Sequence, residues 1–147
     1  MTLYLDTSSA IKLYVSETGS DKVRTMVEEA TVVATSVVTY AETRAALARL
    51  RRERALTVAG FRWAKREFEE QWPSFLKLDA TDVLCRTAGE LAEQYGLRGF
   101  DSVHLASFAE IARRAGPRET RFSSFDDRLN RAARRLASRL RRQGHSL

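Results

Sequence analysis

Leu3-Tyr4-Leu5-Asp6-Thr7-Ser8-Ser9-Ala10-Ile11-Lys12-Leu13-Tyr14-Val15 opens the chain as a short apolar run that passes straight into a helix start. Three large apolar residues in succession fit a strand buried on both faces. Asp-Thr-Ser-Ser then offers side-chain oxygens to the unpaired N–H groups of a first helical turn. The alternation recurs downstream. Ser20 is placed to cap a helix over 21–30, and Thr31-Val32-Val33-Ala34-Thr35 is β-branched and reads as a second strand. Helices are expected over about 37–54 and 56–72, with Phe61, Phe68 and Trp72 spaced for one face. Phe75-Leu76-Lys77-Leu78 reads as a third strand, followed by a helix from about Asp82 to Tyr95-Gly96. Phe100-Asp101 opens a helix over 102–115 that Gly116-Pro117 stops, and Thr120-Arg121-Phe122-Ser123-Ser124 is a fourth strand leading into a basic helix. Strands separated by helices imply parallel crossovers, hence an α/β fold with helices on both faces of the sheet. Ligands of such sheets bind beyond the carboxyl ends of the strands, at a topological switch point.

The chain has 147 residues, enough for one domain, drawn here as 1–138 with a basic C-terminal tail, 139–147, in which disorder is the expectation. The hydrophobic fraction, 44%, is that of an ordinary globular protein. The single cysteine, Cys85, excludes an internal disulfide and a Cys-based zinc site, and its apolar surroundings read as core. With no signal-like N-terminus and no long apolar run, the expectation is a cytoplasmic protein without a membrane span. Charge is unevenly placed. Residues 1–112 carry 14 Lys/Arg against 16 Asp/Glu, whereas residues 113–147 carry 11 Arg against Glu119, Asp126 and Asp127. A near-neutral body with a strongly basic last quarter points to a polyanion or an acidic protein as partner.

Four acids occupy the positions where a parallel sheet places ligands. Asp6 directly follows the first strand, Asp126 follows the fourth, Asp101 opens a helix and Glu42 lies about two turns into the helix after the second strand. Asp6, Asp101 and Asp126 each have an ordinary reading as helix caps. Glu42 does not. It shares a face with Val38, Thr39, Ala45 and Ala46, so it needs a partner, either an arginine such as Arg44 or Arg98 or a cation. Converging carboxylates share protons or recruit a metal, and without His or Cys ligands beside them the hard-oxygen set selects Mg²⁺ or Mn²⁺. Such an ion suits phosphodiester hydrolysis; one ion or two is left open.

The stretches Tyr4-Leu5-Asp6-Thr7-Ser8-Ser9-Ala10, Thr35-Ser36-Val37-Val38-Thr39-Tyr40-Ala41-Glu42, Leu97-Arg98-Gly99-Phe100-Asp101-Ser102-Val103-His104-Leu105-Ala106 and Phe122-Ser123-Ser124-Phe125-Asp126 resemble PIN-domain proteins, and among them the VapC toxins of VapBC toxin–antitoxin pairs. The resemblance implies a three-layer α/β/α sandwich on a mostly parallel sheet. It also implies Mg²⁺- or Mn²⁺-dependent endoribonuclease activity, a homodimer and inhibition by a cognate VapB-like antitoxin. Asp6, Glu42, Asp101 and Asp126 then take the acidic positions as catalytic and metal-binding residues. Ser124 takes a hydroxyl position where many relatives carry Thr. Asp127 competes with Asp126, which is preferred because Ser124-Phe125-Asp126 keeps the hydroxyl–x–acid spacing. In the mechanism that follows, Asp6, Glu42 and Asp101 hold the ion directly or through water, and Asp126 supports a second ion or orients the attacking water. The cut leaves 5′-phosphate and 3′-hydroxyl ends.

Ser8 is expected to orient Asp6 from behind, alongside Ser124. His104, one turn after Asp101, reads as a structural histidine before a general base. Arg131, Arg134 and Arg135 on the last helix, and Arg49 and Arg52 beyond Glu42, are candidate RNA-binding groups, against the ordinary reading of a solvated charged face. The apolar surface of the 37–54 and 56–72 helices is core, an antitoxin groove or a dimer face. The competing functions are a related nuclease acting on DNA or in RNA processing, a non-catalytic nucleic-acid-binding module, and a phosphatase or dehalogenase. The last places a second Asp two residues after its nucleophile, where this chain has Ser8.

Overall fold

The computed structural model describes residues 1–144. Its elements run β1 (Thr2–Leu5), α1 (Thr7–Ala10), α2 (Ser20–Glu29), β2 (Val32–Ser36), α3 (Val38–Arg52), α4 (Val58–Gln71), β3 (Leu76–Leu78), α5 (Asp82–Tyr95), α6 (Gly99–Ala115), β4 (Thr120–Ser123) and α7 (Asp127–Gln143), with 3₁₀ turns at Ile11–Leu13 and Trp72–Ser74. The strands form one sheet in the order β3-β2-β1-β4, and all of its pairings are parallel. The chain leaves β1 towards β2 and returns on its other side as β4, so the switch point lies between β1 and β4. Leu5 pairs with Ser123, and the Asp6 N–H donates to the Ser123 carbonyl at 3.1 Å. This register brings the first acid beside the Ser124 loop.

Alternation along β1 builds the layers. Tyr4 points into a core made with α5, α6 and α7 that includes Leu105, Phe108, Leu129 and Leu136. Leu3 and Leu5 point to the opposite face, where Ala10 and Val23 cover them. Helices therefore cover both faces, giving the three-layer α/β/α sandwich. A separate cluster joins the 3₁₀ turn after α1 to α3 and α4 through Tyr14, Leu47 and Phe68, with Tyr40, Phe61 and Trp72 packed against it. Phe68 is fully buried, and its ring meets Tyr14, Tyr40 and Trp72 at centroid distances of 5.3 to 5.6 Å. These aromatics are core.

Local expectations fail in four places. Ser20 is not a cap: Gly19, at φ 93°, ends the preceding turn, and the Ser20 hydroxyl donates to the Val15 carbonyl. Cys85 is exposed, because Ala88 and Leu91 carry the buried face of α5 and Cys85 falls on the outer side. Asp101 caps nothing: Arg98 holds the N-cap position of α6 without a side-chain bond. Finally, α7 continues through Gln143, beyond the 138/139 boundary, because Leu140 is buried with Leu129, Leu136 and Ala137 and extends the same apolar stripe. Residues 145–147 of the expected tail lie outside the described residues. Among the described residues no helix is long and apolar enough to cross a membrane.

Candidate active site

All four acids line one cleft of about 720 Å³ at the carboxyl ends of the strands. β1 delivers Asp6, α3 carries Glu42 on its second turn, the first turn of α6 presents Asp101, and Asp126 arrives at the start of α7. Asp127 is the first helical residue beyond it and is exposed, so of the two it is Asp126 that lines the cleft, where Glu17 also stands.

Asp6 is 4% exposed and bonded on both oxygens. Its Oδ1 accepts from the Ser8 hydroxyl at 2.7 Å and the Ser9 N–H at 2.9 Å, and its Oδ2 accepts from the Ser124 hydroxyl at 2.6 Å. The capping bond to Ser9 is real, but it uses only one side of one oxygen. Burial pushes the Asp6 carboxyl above its ordinary range, and the hydrogen bonds from Ser124 and Ser8 offset part of that rise. The Ser8 and Ser124 hydroxyls that donate to Asp6 also tie down the β4–α7 loop. The Phe125 N–H donates to Ser8 Oγ at 2.9 Å and the Asp126 N–H to Ser124 Oγ at 3.0 Å. The same loop packs Phe125 against Gly19, where a Cβ would stand 2.5 Å from the ring.

Glu42 has neither of its expected arginine partners. Arg44 turns away to Glu69, and Arg98 lies at the cleft mouth. Instead Glu42 Oε1 accepts from the Thr7 hydroxyl at 2.6 Å and from His104 Nε2 at 2.9 Å. Burial alone would raise the Glu42 carboxyl, but these two hydrogen bonds prevail and hold it below its ordinary value. His104 is buried, and its Nδ1 meets the Tyr4 hydroxyl at 2.9 Å. Sequence reading found His104 but missed Thr7 and Tyr4 as its associates.

Asp101 and Asp126 are held differently. Arg98 Nε donates to Asp101 Oδ2 at 3.1 Å, and Arg98 Nη2 stands 3.8 Å from Asp126 Oδ2. Asp126 Oδ1 caps α7 by accepting from the Leu129 N–H at 2.8 Å. The i,i+3 spacing of Arg98 and Asp101 was the available signal for this pair. Of the basic residues read from sequence, Arg49 and Arg52 line the cleft. The arginines of α7 do not: Arg134 lines a groove with Lys22 and Arg121, while Arg131 and Arg135 line another with Tyr95 and Arg128.

A hard divalent cation fits the donor chemistry. Every carboxylate of the cleft is an oxygen donor, and among the described residues Glu42 Oε2 and Asp101 Oδ1 have no protein hydrogen-bond partner. Among the described residues, no three His, Cys, Asp or Glu side chains stand close enough to grip an ion by themselves. A cation here would keep part of its water shell, as Mg²⁺ usually does.

The model of the PIN domain family matches residues 3–135. Two curated relatives from Mycobacterium tuberculosis, Ribonuclease VapC45 (strain CDC 1551 / Oshkosh) and Ribonuclease VapC49 (strain H37Rv), are each 36% identical over 105 residues, covering 71% of this chain and 73% of the relative. Among solved structures, PAE2754 from Pyrobaculum aerophilum superposes with a TM-score of 0.61 at 20% identity, over 97% of this chain and 91% of that one. FitAcB from Neisseria gonorrhoeae superposes with a TM-score of 0.60 at 17% identity, over 90% and 93%.

Proposed function

The chain belongs to the PIN domain family, on its VapC-type branch, and from that premise we propose that it is a Mg²⁺- or Mn²⁺-dependent endoribonuclease, the toxin of a toxin–antitoxin pair. The observation that carries the reading is the gathering of Asp6, Glu42, Asp101 and Asp126, up to 120 residues apart in sequence, in one cleft at the switch point of the sheet. The relatives' name supplies the substrate class, RNA. Asp6, Glu42, Asp101 and Asp126 would hold the cation directly or through its water shell, and the cation when bound neutralises charge on a phosphodiester and makes water a better nucleophile. Asp6 and Glu42 are fixed by their hydroxyl, backbone and imidazole donors and set the floor of the site. Asp101 and Asp126 stand at its mouth beside Arg98, whose guanidinium is a ready partner for a phosphate oxygen. Arg49 and Arg52 add positive charge to the wall and would steer RNA inwards.

The partners follow from the same premise. A cognate antitoxin would use acidic groups against the basic last quarter of the chain, where 11 arginines face three acids. A homodimer and a cytoplasmic location are parts of the same proposal that rest on the family resemblance.

The test is RNA cleavage by the purified chain after EDTA treatment, with Mg²⁺ or Mn²⁺ restored. Cleavage should return with the metal and leave 5′-phosphate and 3′-hydroxyl ends. Asp6→Asn and Asp101→Asn should each nearly abolish it while circular dichroism stays unchanged. Full activity of both variants would refute the assignment.

A further inference from the structure

The Glu42 carboxylate is aimed by a relay that starts in the sheet. Tyr4, the fully buried centre of β1, presents its hydroxyl to His104 Nδ1 at 2.9 Å. Across the ring, Nε2 lies 2.9 Å from Glu42 Oε1 and 3.2 Å from Thr7 Oγ1. The Thr7 hydroxyl donates to the same Oε1 at 2.6 Å. With a neutral ring, the carboxylate at one end sets the direction of the bond at the other. A carboxylate only accepts, so Nε2 must carry the hydrogen. In the neutral ring Nδ1 is then the acceptor, and the Tyr4 O–H, which burial keeps protonated, is the donor that satisfies it. The other tautomer would set a lone pair against the Glu42 charge and an N–H against the phenol. The ring is further confined by edge-on contact with Tyr4, with centroids 6.1 Å apart. Two donors therefore converge on Oε1, and Oε2 is left for the cleft.

We propose that His104 is a positioning residue: with its tautomer set by Tyr4, it fixes the Glu42 carboxylate so that Oε2 faces a cation in the cleft. It is neither a general base nor a ligand. Its Nε2 hydrogen is committed to Glu42, and its other nitrogen is committed to the interior of the protein. The role rests on the nuclease reading above for what Glu42 holds, but the geometry belongs to the metal-free protein.

Two amide variants separate positioning from bulk. In His104→Gln the side-chain amide reaches the place of Nε2 and restores a donor to Glu42. In His104→Asn the shorter amide reaches the place of Nδ1 and leaves Oε1 with Thr7 alone. Mn²⁺ affinity, measured by calorimetry on the full chain without RNA, should fall by about tenfold in His104→Asn and stay within roughly threefold in His104→Gln, the scale at which outer partners tune metal ligands. In a Glu42→Gln background, His104→Asn should add nothing to the loss, since its effect runs through that carboxylate. Equal Mn²⁺ affinity in the two amide variants, or an undiminished His104→Asn effect without the Glu42 charge, would overturn the proposal. The ring ¹⁵N spectrum of the metal-free protein is a separate arm and should show a protonated Nε2. An Nδ1–H ring overturns the positioning claim by itself. Absence of any Mn²⁺ binding by the unaltered chain would instead defeat the nuclease reading, and the ring spectrum would then decide the tautomer relay alone.

Discussion

The floor and the mouth of the cleft hold their carboxylates by opposite means. At the floor, Asp6 and Glu42 are fixed by hydrogen-bond donors from α1, α6 and the β4–α7 loop: Ser8, Ser9, Ser124, Thr7 and His104. At the mouth, Asp101 and Asp126 share a single cation, Arg98, whose side chain is 81% exposed. Hydroxyl and backbone donors in a buried setting orient a charge without cancelling it. A solvated guanidinium neutralises charge loosely and can leave. On the proposed reading the floor is built in advance for a cation, whereas Arg98 at the mouth competes for that cation's place.

The largest effects should come from the floor, and its two acids should move stability in opposite directions. Glu42 is held below its ordinary value, since the bonds from His104 and Thr7 outweigh burial, so it stabilises the fold above the unfolded carboxylate range. That contribution is lost as pH falls through its lowered folded value. Asp6 is held above its ordinary value by burial, so the fold is favoured in acid and loses stability as pH rises from the unfolded to the raised folded value. Glu42→Ala should cost about 2–3 kcal/mol at neutral pH, because it strands the buried His104 ring N–H and the half-buried Thr7 hydroxyl, and less in acid. Asp6→Asn should be more stable than the parent at neutral pH, with the gain vanishing in acid. Urea unfolding of both variants across pH 3 to about 8 reads the signs. Two variants shifting in the same direction would break the contrast within the floor.

Ser124 joins the two halves. Its hydroxyl donates to Asp6 Oδ2 and accepts from the Asp126 N–H, and Asn130 fixes its carbonyl at 2.8 Å. Ser124→Ala removes a charge-assisted bond and should cost about 1–2 kcal/mol at neutral pH, with Asp6 pushed further up. Ser124→Thr keeps the hydroxyl and should keep most of that stability. If the alanine variant were as stable as the threonine variant, the floor would not depend on this link to the β4–α7 loop.

How much of this the sequence discloses follows the range of each interaction. The β/α order, the parallel sheet and the four acids were legible because strands, helix starts and acid positions are local patterns. Serine at 124 was legible through its spacing from Asp126. Partners were not. The arginines weighed as partners for Glu42 pair elsewhere, Arg44 with Glu69 on α4 and Arg98 with Asp101. The true partners, Thr7 and His104, are 35 and 62 residues away and meet Glu42 only after α1 and α6 dock against α3. Cys85 failed for a related reason: apolar neighbours in sequence do not say which side of a helix turns inwards. The arginines of α7 likewise divide between two grooves, because a helix carrying a wide buried stripe presents two polar flanks.

Arg98→Ala gives the smallest effect on stability and the sharpest test of the contrast. The pair with Asp101 is exposed on the arginine side, so solvent screening keeps the change below about 1 kcal/mol. Metal binding should respond in the opposite sense from the floor. Losing His104 as a donor to Glu42 weakens Mn²⁺ affinity, whereas losing Arg98 removes a positive charge from beside two carboxylates. In water a unit charge at 4 Å is worth about 1 kcal/mol, roughly fivefold in affinity, so Mn²⁺ should bind Arg98→Ala up to about fivefold more tightly. RNA should bind less tightly, with the salt dependence of its affinity reduced by about one counterion if the freed guanidinium meets a phosphate. Calorimetry with Mn²⁺ and filter binding with RNA at several salt concentrations measure the two separately. If Arg98→Ala weakened Mn²⁺ binding as His104→Asn does, the guanidinium would be organising the mouth instead of competing for it, and floor and mouth would be one preformed site.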